Sequence, residues 1–183
     1  MINEETIISL VRDLIKRYGT RDPFKICVEL GIIIMYRDFD DLKGMYKKIG
    51  RNRYIVINRN LNKYWQAIIC LHELGHDRLH PELGEHAGIR DFEIFQLKEP
   101  TELEANMFAA ELIYDDEEFL GYIYSGYTVD EIAKITCTCR DLVSIKVNLL
   151  RRKGKKNLRM AECDPYFLRS EGAGSDEEDY CAY

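Results

Sequence analysis

The stretch that decides the fold is "CLHELGHDRLH", Cys70–His80, which contains three of the four histidines in the chain. Counted at 100° per residue, His72 and His76 share one helix face with the apolar residues that precede them. Histidines at positions i and i+4 lie one turn apart, so each can give a nitrogen to the same metal ion. Glu73 lies at the edge of that face, where it can act as a general base. The pattern predicts a metallopeptidase helix.

A second interpretation stays open at this point, because HExxH is short and occurs by chance in many helices. A buried histidine is more often a hydrogen-bonded core residue than a metal ligand. Gly75 favours the metal interpretation. A glycine inside a helix costs about 1 kcal/mol relative to alanine, so its presence indicates that something approaches the helix backbone closely.

A catalytic zinc usually has three protein ligands, and His80 is a poor candidate for the third ligand. His72 and His80 are eight residues apart, about 12 Å along a helix axis, and no glycine follows His76 to break the helix. We therefore expect His80 to be a helix-end residue, where a partly positive imidazole suits the helix dipole. His86 is expected to be a surface residue.

The helix predicted over "TELEANMFAAELI" (101–113) offers two carboxylates as third ligand. Glu102 and Glu104 differ by 200° around this helix, so only one of them can face the metal. Glu104 shares its face with Met107 and Phe108, a side suited to packing on the histidine helix. We therefore predict Glu104 as the ligand, with Glu102 pointing towards solvent.

These stretches together resemble the ImmA/IrrE family of zinc metallopeptidases. The resemblance rests on "KG" (43–44) followed by "YIVINRNL" (54–61), on "LHELGHDRLH" (71–80), on "ELEANMFAAELI" (102–113) and on "TVDEIAKITCTCRDLVSIKVNLL" (128–150). It covers the chain from about Pro23 to Leu150. It implies an α+β fold with a zincin-like core, in which a small sheet lies beside the HExxH helix, and a C-terminal helical segment like a helix-turn-helix.

The resemblance also implies a chemistry. His72, His76 and Glu104 would bind one Zn²⁺ per chain, with Mn²⁺ as a possible substitute, and Glu73 would be the catalytic general base. The family's usual substrates are helix-turn-helix repressors of phages and integrative elements. The expected function is therefore a metallo-endopeptidase that cleaves such a repressor and relieves repression.

The expected domain organisation has three parts. Residues 1–125 form the peptidase domain, 126–152 a helical pair packed on it, and 153–183 a basic-then-acidic tail that is predicted to be disordered. Residues 81–100 show no steady period and are predicted to be an irregular connection. In the helical pair, Thr128 and Glu131 have capping-box spacing, and Thr138 is predicted to cap the second helix.

Composition limits the other classes of function. The net charge is −6 and the sequence pI is about 5.3, so direct binding to nucleic acid or to an anionic membrane is not expected. No stretch approaches the roughly 20 apolar residues that span a bilayer. Two glutamates stand near the N-terminus where an export signal needs positive charge, so a cytoplasmic protein is expected. The six cysteines form no CxxC pair, and disulfides are not expected.

Two other functions fit parts of the sequence. A DNA-binding helix-turn-helix could lie in residues 128–150, but its turn lacks the usual glycine and the chain is acidic. Alternatively, the protein could be a non-catalytic zinc-containing antirepressor or antitoxin-like binding protein. Glu73 weighs against that alternative, because a purely structural zinc site has no use for a general base.

Overall fold

The computed structural model describes residues 2–85, 89–91, 99–155 and 158 of the 183 residues. The chain divides into two compact units, Met1–Ile113 and Tyr114–Tyr183. The described elements of the first unit are α1 (Glu4–Tyr18), α2 (Pro23–Glu29), β1 (Ile32–Arg37), β2 (Gly44–Ile49), β3 (Asn52–Asn58), α3 (Lys63–Leu79), β4 (Ile89–Asp91) and α4 (Pro100–Ile113). Those of the second unit are α5 (Asp116–Tyr124), α6 (Val129–Ile135) and α7 (Arg140–Arg152). The mixed α+β composition predicted from the sequence is confirmed.

Local capping explains where the helices of the first unit begin. The side chains of Asn3, Asp22 and Asn62 accept hydrogen bonds from the backbone N–H groups that open α1, α2 and α3. Such caps contribute about 1 kcal/mol each. Helix α1 ends at Gly19, whose φ of 65° suits a residue without a side chain.

A four-stranded sheet with the order β1-β3-β2-β4 forms the other layer of this unit. β1 runs parallel to β3, whereas β2 runs antiparallel to both of its neighbours. Strands β2 and β3 form a hairpin that turns at Gly50, which has a φ of 59°. Tyr46 lies opposite Ile55, and both are fully buried on one face of the sheet. Helix α3 packs on β2 and β3.

Strand β4 corrects the prediction for residues 81–100, because this irregular connection contains a strand. Its three residues pair with Gly44, Met45 and Tyr46 of β2 and form the end of the described sheet. Residues 86–88 and 92–98 lie outside the described residues, so the prediction for His86 concerns a residue that the structure does not describe.

The second unit contains three described helices. Its boundary at Ile113–Tyr114 differs from the predicted one after residue 125, so α5 groups with the C-terminal helices. Within this unit, Asp116 of α5 accepts hydrogen bonds from Lys146 of α7 and from Lys153 just after α7. Most of the predicted tail, 153–183, lies outside the described residues.

Of the two helix caps predicted in this unit, one is confirmed and the other is wrong. The capping box of Thr128 and Glu131 is confirmed. The predicted cap at Thr138 is wrong, because α7 begins after Cys139 without a side-chain cap. The Thr138 hydroxyl instead contacts the Tyr114 hydroxyl and the Thr136 hydroxyl. Among the described residues, every helix falls short of the length and apolar character needed to cross a membrane.

Candidate metal centre

Helices α3 and α4 approach each other closely at Gly75, which places the candidate ligands of both helices at one point. A Cβ atom at Gly75 would lie 3.1 Å from Cα and from the carbonyl oxygen of Ala105. The close approach inferred from this glycine is therefore an approach to the backbone of α4. Because neither residue carries a large side chain, the histidines of α3 can meet the first turns of α4.

Three side chains converge there with metal-binding atoms close together. His72 Nε2 lies 3.0 Å from His76 Nε2 and 3.1 Å from Glu102 Oε2. His76 Nε2 lies 3.4 Å from Glu102 Oε1. Zinc binds nitrogen and oxygen at about 2.0–2.2 Å, so the donors of a tetrahedral ion lie about 3.3 Å apart. The three separations match the spacing that such an ion requires.

Asn106 determines which nitrogen of His72 faces this centre. Its Oδ1 accepts a hydrogen bond of 2.8 Å from His72 Nδ1. The neutral imidazole therefore carries its proton on Nδ1 and its lone pair on Nε2, towards His76 and Glu102. Both Asn106 and His72 are buried, so this orientation is held by packing as well as by the hydrogen bond.

The donor set fits a metal cation. With the Nδ1 proton of His72 engaged, its Nε2 lone pair points at another imidazole and at a carboxylate oxygen. Lone pairs that converge in a buried site repel one another unless a proton or a cation lies among them. Two imidazole nitrogens and one carboxylate are the donors found in catalytic zinc sites.

The charge on Glu102 agrees with this arrangement. Burial raises the pKa of its carboxyl, but when a proton rather than a cation lies among the donors, hydrogen bonds from the His72 and His76 imidazoles to Glu102 outweigh burial and hold the pKa well below its ordinary value. Glu102 is therefore a carboxylate at neutral pH. Its side chain keeps 14% of its exposure, whereas His72 and His76 are almost fully buried, so the centre is open to solvent on the α4 side.

Glu104, the ligand predicted from the sequence, lies elsewhere. Its Oε2 is 3.3 Å from His80 Nε2, and its Oε1 accepts a hydrogen bond from the backbone N–H of Ile2. Glu104 thus connects the end of α3 to the N-terminal segment. The structure brings His72 and His76 together with Glu102, which had been predicted to point towards solvent.

His80 is the residue that ends α3, as predicted. Its environment differs from the prediction, because the side chain is buried against α4. Burial lowers the pKa of this imidazole, and the carboxylate of Glu104 only partly opposes the effect. The lowered pKa disfavours the partly positive imidazole that the sequence predicts at this helix end.

Glu73 is fully buried between α3 and the sheet. Its carboxylate lies at the first residue of β2: a Cβ atom at Gly44 would be 2.8 Å from Glu73 Oε1. Glu73 follows His72 directly on α3, and its side chain is turned towards β2. Gly44 also pairs with Asp91 of β4, the end strand of the described sheet.

A comparison with protein-family models places this centre in a known family. Residues 27–150 match the peptidase family described as the IrrE N-terminal-like domain. The chain belongs to the ImmA/IrrE family of metallopeptidases. The matched range includes all of α3 and α4, and hence every donor of the centre.

Two similar proteins support the assignment. The chain is 35% identical over 141 residues to "Uncharacterized immunity region protein 2" of Bacillus phage phi105, an alignment that covers 76% of this chain and 88% of the phage protein. It is 32% identical over 126 residues to "Metallopeptidase ImmA" of Bacillus subtilis (strain 168), covering 67% of this chain and 73% of that protein. No solved structure matches the chain.

Proposed function

We propose that this protein is a zinc-dependent endopeptidase that cleaves a helix-turn-helix transcriptional repressor in the immunity system of a phage or integrative element. The observation that carries the proposal is the convergence of His72, His76 and Glu102 within the spacing of one metal ion. In this proposal Glu102 replaces Glu104 as the third ligand. Mn²⁺ remains a possible substitute for Zn²⁺.

Each residue of the centre has a defined task in peptide hydrolysis. His72, His76 and Glu102 hold the ion, and Asn106 orients His72. A zinc ion bound there supplies a Lewis acid that polarises the scissile carbonyl and activates water. Glu73 takes the proton from the attacking water and passes it to the leaving amine.

The sheet offers a way to hold the substrate. β4 is the end strand of the described sheet, and it pairs with β2 at the residue that adjoins Glu73. Strands lie about 4.8 Å apart, and extended peptides commonly add to exposed strand edges. We propose that the scissile segment binds in extended form at this edge, in a zincin-like first unit.

The choice of a repressor as substrate rests on the relatives. One is named for a phage immunity region and another is named a metallopeptidase. We propose the α6–α7 pair as a helix-turn-helix-like element that serves protein recognition. Its second helix begins with Arg140 and Asp141, and a carboxylate in the first turn of a recognition helix opposes DNA phosphates.

Co-expression with the helix-turn-helix repressor encoded nearest to the gene tests the proposal. Wild type is compared with Glu73→Gln, which keeps the size of the side chain but removes the base. Intact-mass spectrometry is expected to show two defined repressor fragments with wild type and only intact repressor with Glu73→Gln. Zinc content measured on both proteins should be equal, because Glu73 is not a donor of the centre.

Two results would contradict the proposal. Intact repressor with both proteins, together with co-purification of the pair, would identify an antirepressor that acts by binding. Equal cleavage by wild type and Glu73→Gln would show that hydrolysis does not use this base.

A further inference from the structure

Gly44, the first residue of β2, lies against two side chains of α3, and one of them is the carboxylate of Glu73. A Cβ atom at Gly44 would lie 2.3 Å from Ile69 Cγ2 and 2.8 Å from Glu73 Oε1, with the carbonyl oxygen of Val56 at 3.5 Å. Ile69 and Glu73 stand one turn apart on α3, and both are fully buried. The space that any other residue's Cβ would fill is therefore already occupied by α3 side chains.

The two neighbours would respond differently to a methyl group at this position. Ile69 Cγ2 is attached directly to a branched Cβ, so it moves little without a shift of the helix. The Glu73 carboxylate is the far end of a flexible side chain and is the group that yields more easily. A larger residue at position 44 therefore displaces the carboxylate, even where the fold adapts.

We propose that Gly44 is a positioning residue for the general base: the bare backbone of β2 forms the surface against which the Glu73 carboxylate rests and keeps it in its working orientation. This inference rests on the proposed role of Glu73 in peptide hydrolysis. Because the same residue of β2 pairs with Asp91 of β4, the contact also fixes the distance between the base and the sheet edge. A base misplaced by about 1 Å can lose about 10²-fold in rate.

The test separates displacement of Glu73 from overpacking against Ile69. In Gly44→Ala the new methyl group would meet both Ile69 and Glu73, and this single variant can fail to fold. It is therefore combined with Ile69→Ala, which removes Cγ2 and leaves only the contact with the Glu73 carboxylate. Ile69→Ala alone is the reference. Gly84→Ala is the matched overpacking control. Its Cβ would lie 2.4 Å from the ring of Tyr46, which belongs to the same strand as Gly44, and its three nearest atoms all belong to that ring and not to Glu73.

Zinc-loaded proteins are compared by crystal structure, zinc content and steady-state cleavage of the repressor. Relative to Ile69→Ala, we expect the double variant to show a displaced Glu73 carboxylate, equal zinc content, an unchanged KM and a kcat about 10²-fold lower. Gly84→Ala is expected to lose stability while keeping the wild-type kcat.

Either of two findings would overturn the proposal: the Glu73 carboxylate stays in place in the double variant, or the kcat of the double variant equals that of Ile69→Ala. If wild type itself does not cleave the repressor, the proposed function fails separately. The crystal structures then decide alone, since an undisplaced carboxylate refutes the positioning role and a displaced one supports it.

Discussion

Glu102 and Glu104 stand two residues apart on α4 but contact different histidines. Glu102 faces His72 and His76, whereas Glu104 faces His80. We predict that Glu102→Gln weakens zinc binding by more than about 10²-fold, because it removes a metal ligand and not merely a residue that hydrogen-bonds to a ligand. Glu104→Gln is expected to retain wild-type affinity. Competition with a chromophoric chelator measures both affinities, and a loss confined to Glu104→Gln would restore the ligand predicted from the sequence.

Asn106 is expected to influence zinc affinity without touching the ion. Asn106→Ala removes the acceptor for His72 Nδ1 and should lower zinc affinity about 10–100-fold. Asn106→Asp keeps an oxygen acceptor in the same place, so its affinity should stay close to wild type. The same chelator competition checks both variants. Equal losses in the two variants would show that the side chain acts through packing and not through the hydrogen bond.

The sequence predicts part of this centre and misses the rest for a physical reason. The i, i+4 spacing of His72 and His76 is a local property of one helix, so their convergence could be predicted. The choice between Glu102 and Glu104 used the apolar character of one face of α4. Every residue from Glu104 to Leu112 is buried, so apolar character does not mark a single face of that helix. The informative spacing was Glu102 with Asn106, two polar residues one turn apart.

At the scale of elements, Gly75 determines how closely α3 and α4 pack. Gly75→Ala gains about 1 kcal/mol of helix propensity, but its Cβ would lie 3.1 Å from the backbone of Ala105, which cannot yield without moving α4. We expect a net loss of about 1–3 kcal/mol in the free energy of unfolding, measured by urea denaturation.

Gly121→Ala is the matched control for this prediction. Gly121 lies inside α5, is exposed, and a Cβ there would meet nothing within 4 Å. This variant should gain about 0.5–1 kcal/mol. If Gly75→Ala also stabilises the protein, the close approach of α3 and α4 does not limit their packing.

Elements defined by local chemistry were predicted better than elements defined by pairing. The capping box at Thr128 depends on residues three positions apart, and it is confirmed. Strand β4 is only three residues long and exists because it pairs with β2, more than forty positions away in the chain. Its own sequence has no period that indicates a strand, so the prediction had no local signal to use.

Asp116 makes the stability of the second unit depend on pH. Burial raises the pKa of its carboxyl, but hydrogen bonds from Lys146 and Lys153 outweigh burial and lower the pKa below its ordinary value. A carboxyl whose pKa is lowered in the folded state contributes its full stabilisation of the fold at a pH above its unfolded-state pKa of about 3.9. That contribution is lost as the pH falls through the folded pKa.

Asp116→Asn should therefore lower the free energy of unfolding by about 1–2 kcal/mol at pH 7, and the difference from wild type should shrink below about pH 4. Urea denaturation between pH 7 and pH 3 measures this difference. Asp13→Asn, at an exposed residue of α1, serves as control and should show a smaller effect at every pH. A difference that persists unchanged at pH 3 would show that Asp116 does not act through its charge.

For the whole molecule, zinc binding should be coupled to folding, because the donors come from α3 and α4 and converge only when these helices are packed. A ligand that binds only the folded state adds about 4 kcal/mol at a concentration 1,000 times its Kd. We predict a higher Tm with zinc, a lower Tm after chelation, and slower hydrogen exchange in α3 and α4 when zinc is present. Glu102→Gln should reduce all three responses. A Tm that rises equally in wild type and Glu102→Gln would mean that zinc stabilises the protein from a different site, since the variant removes one of the three converging donors.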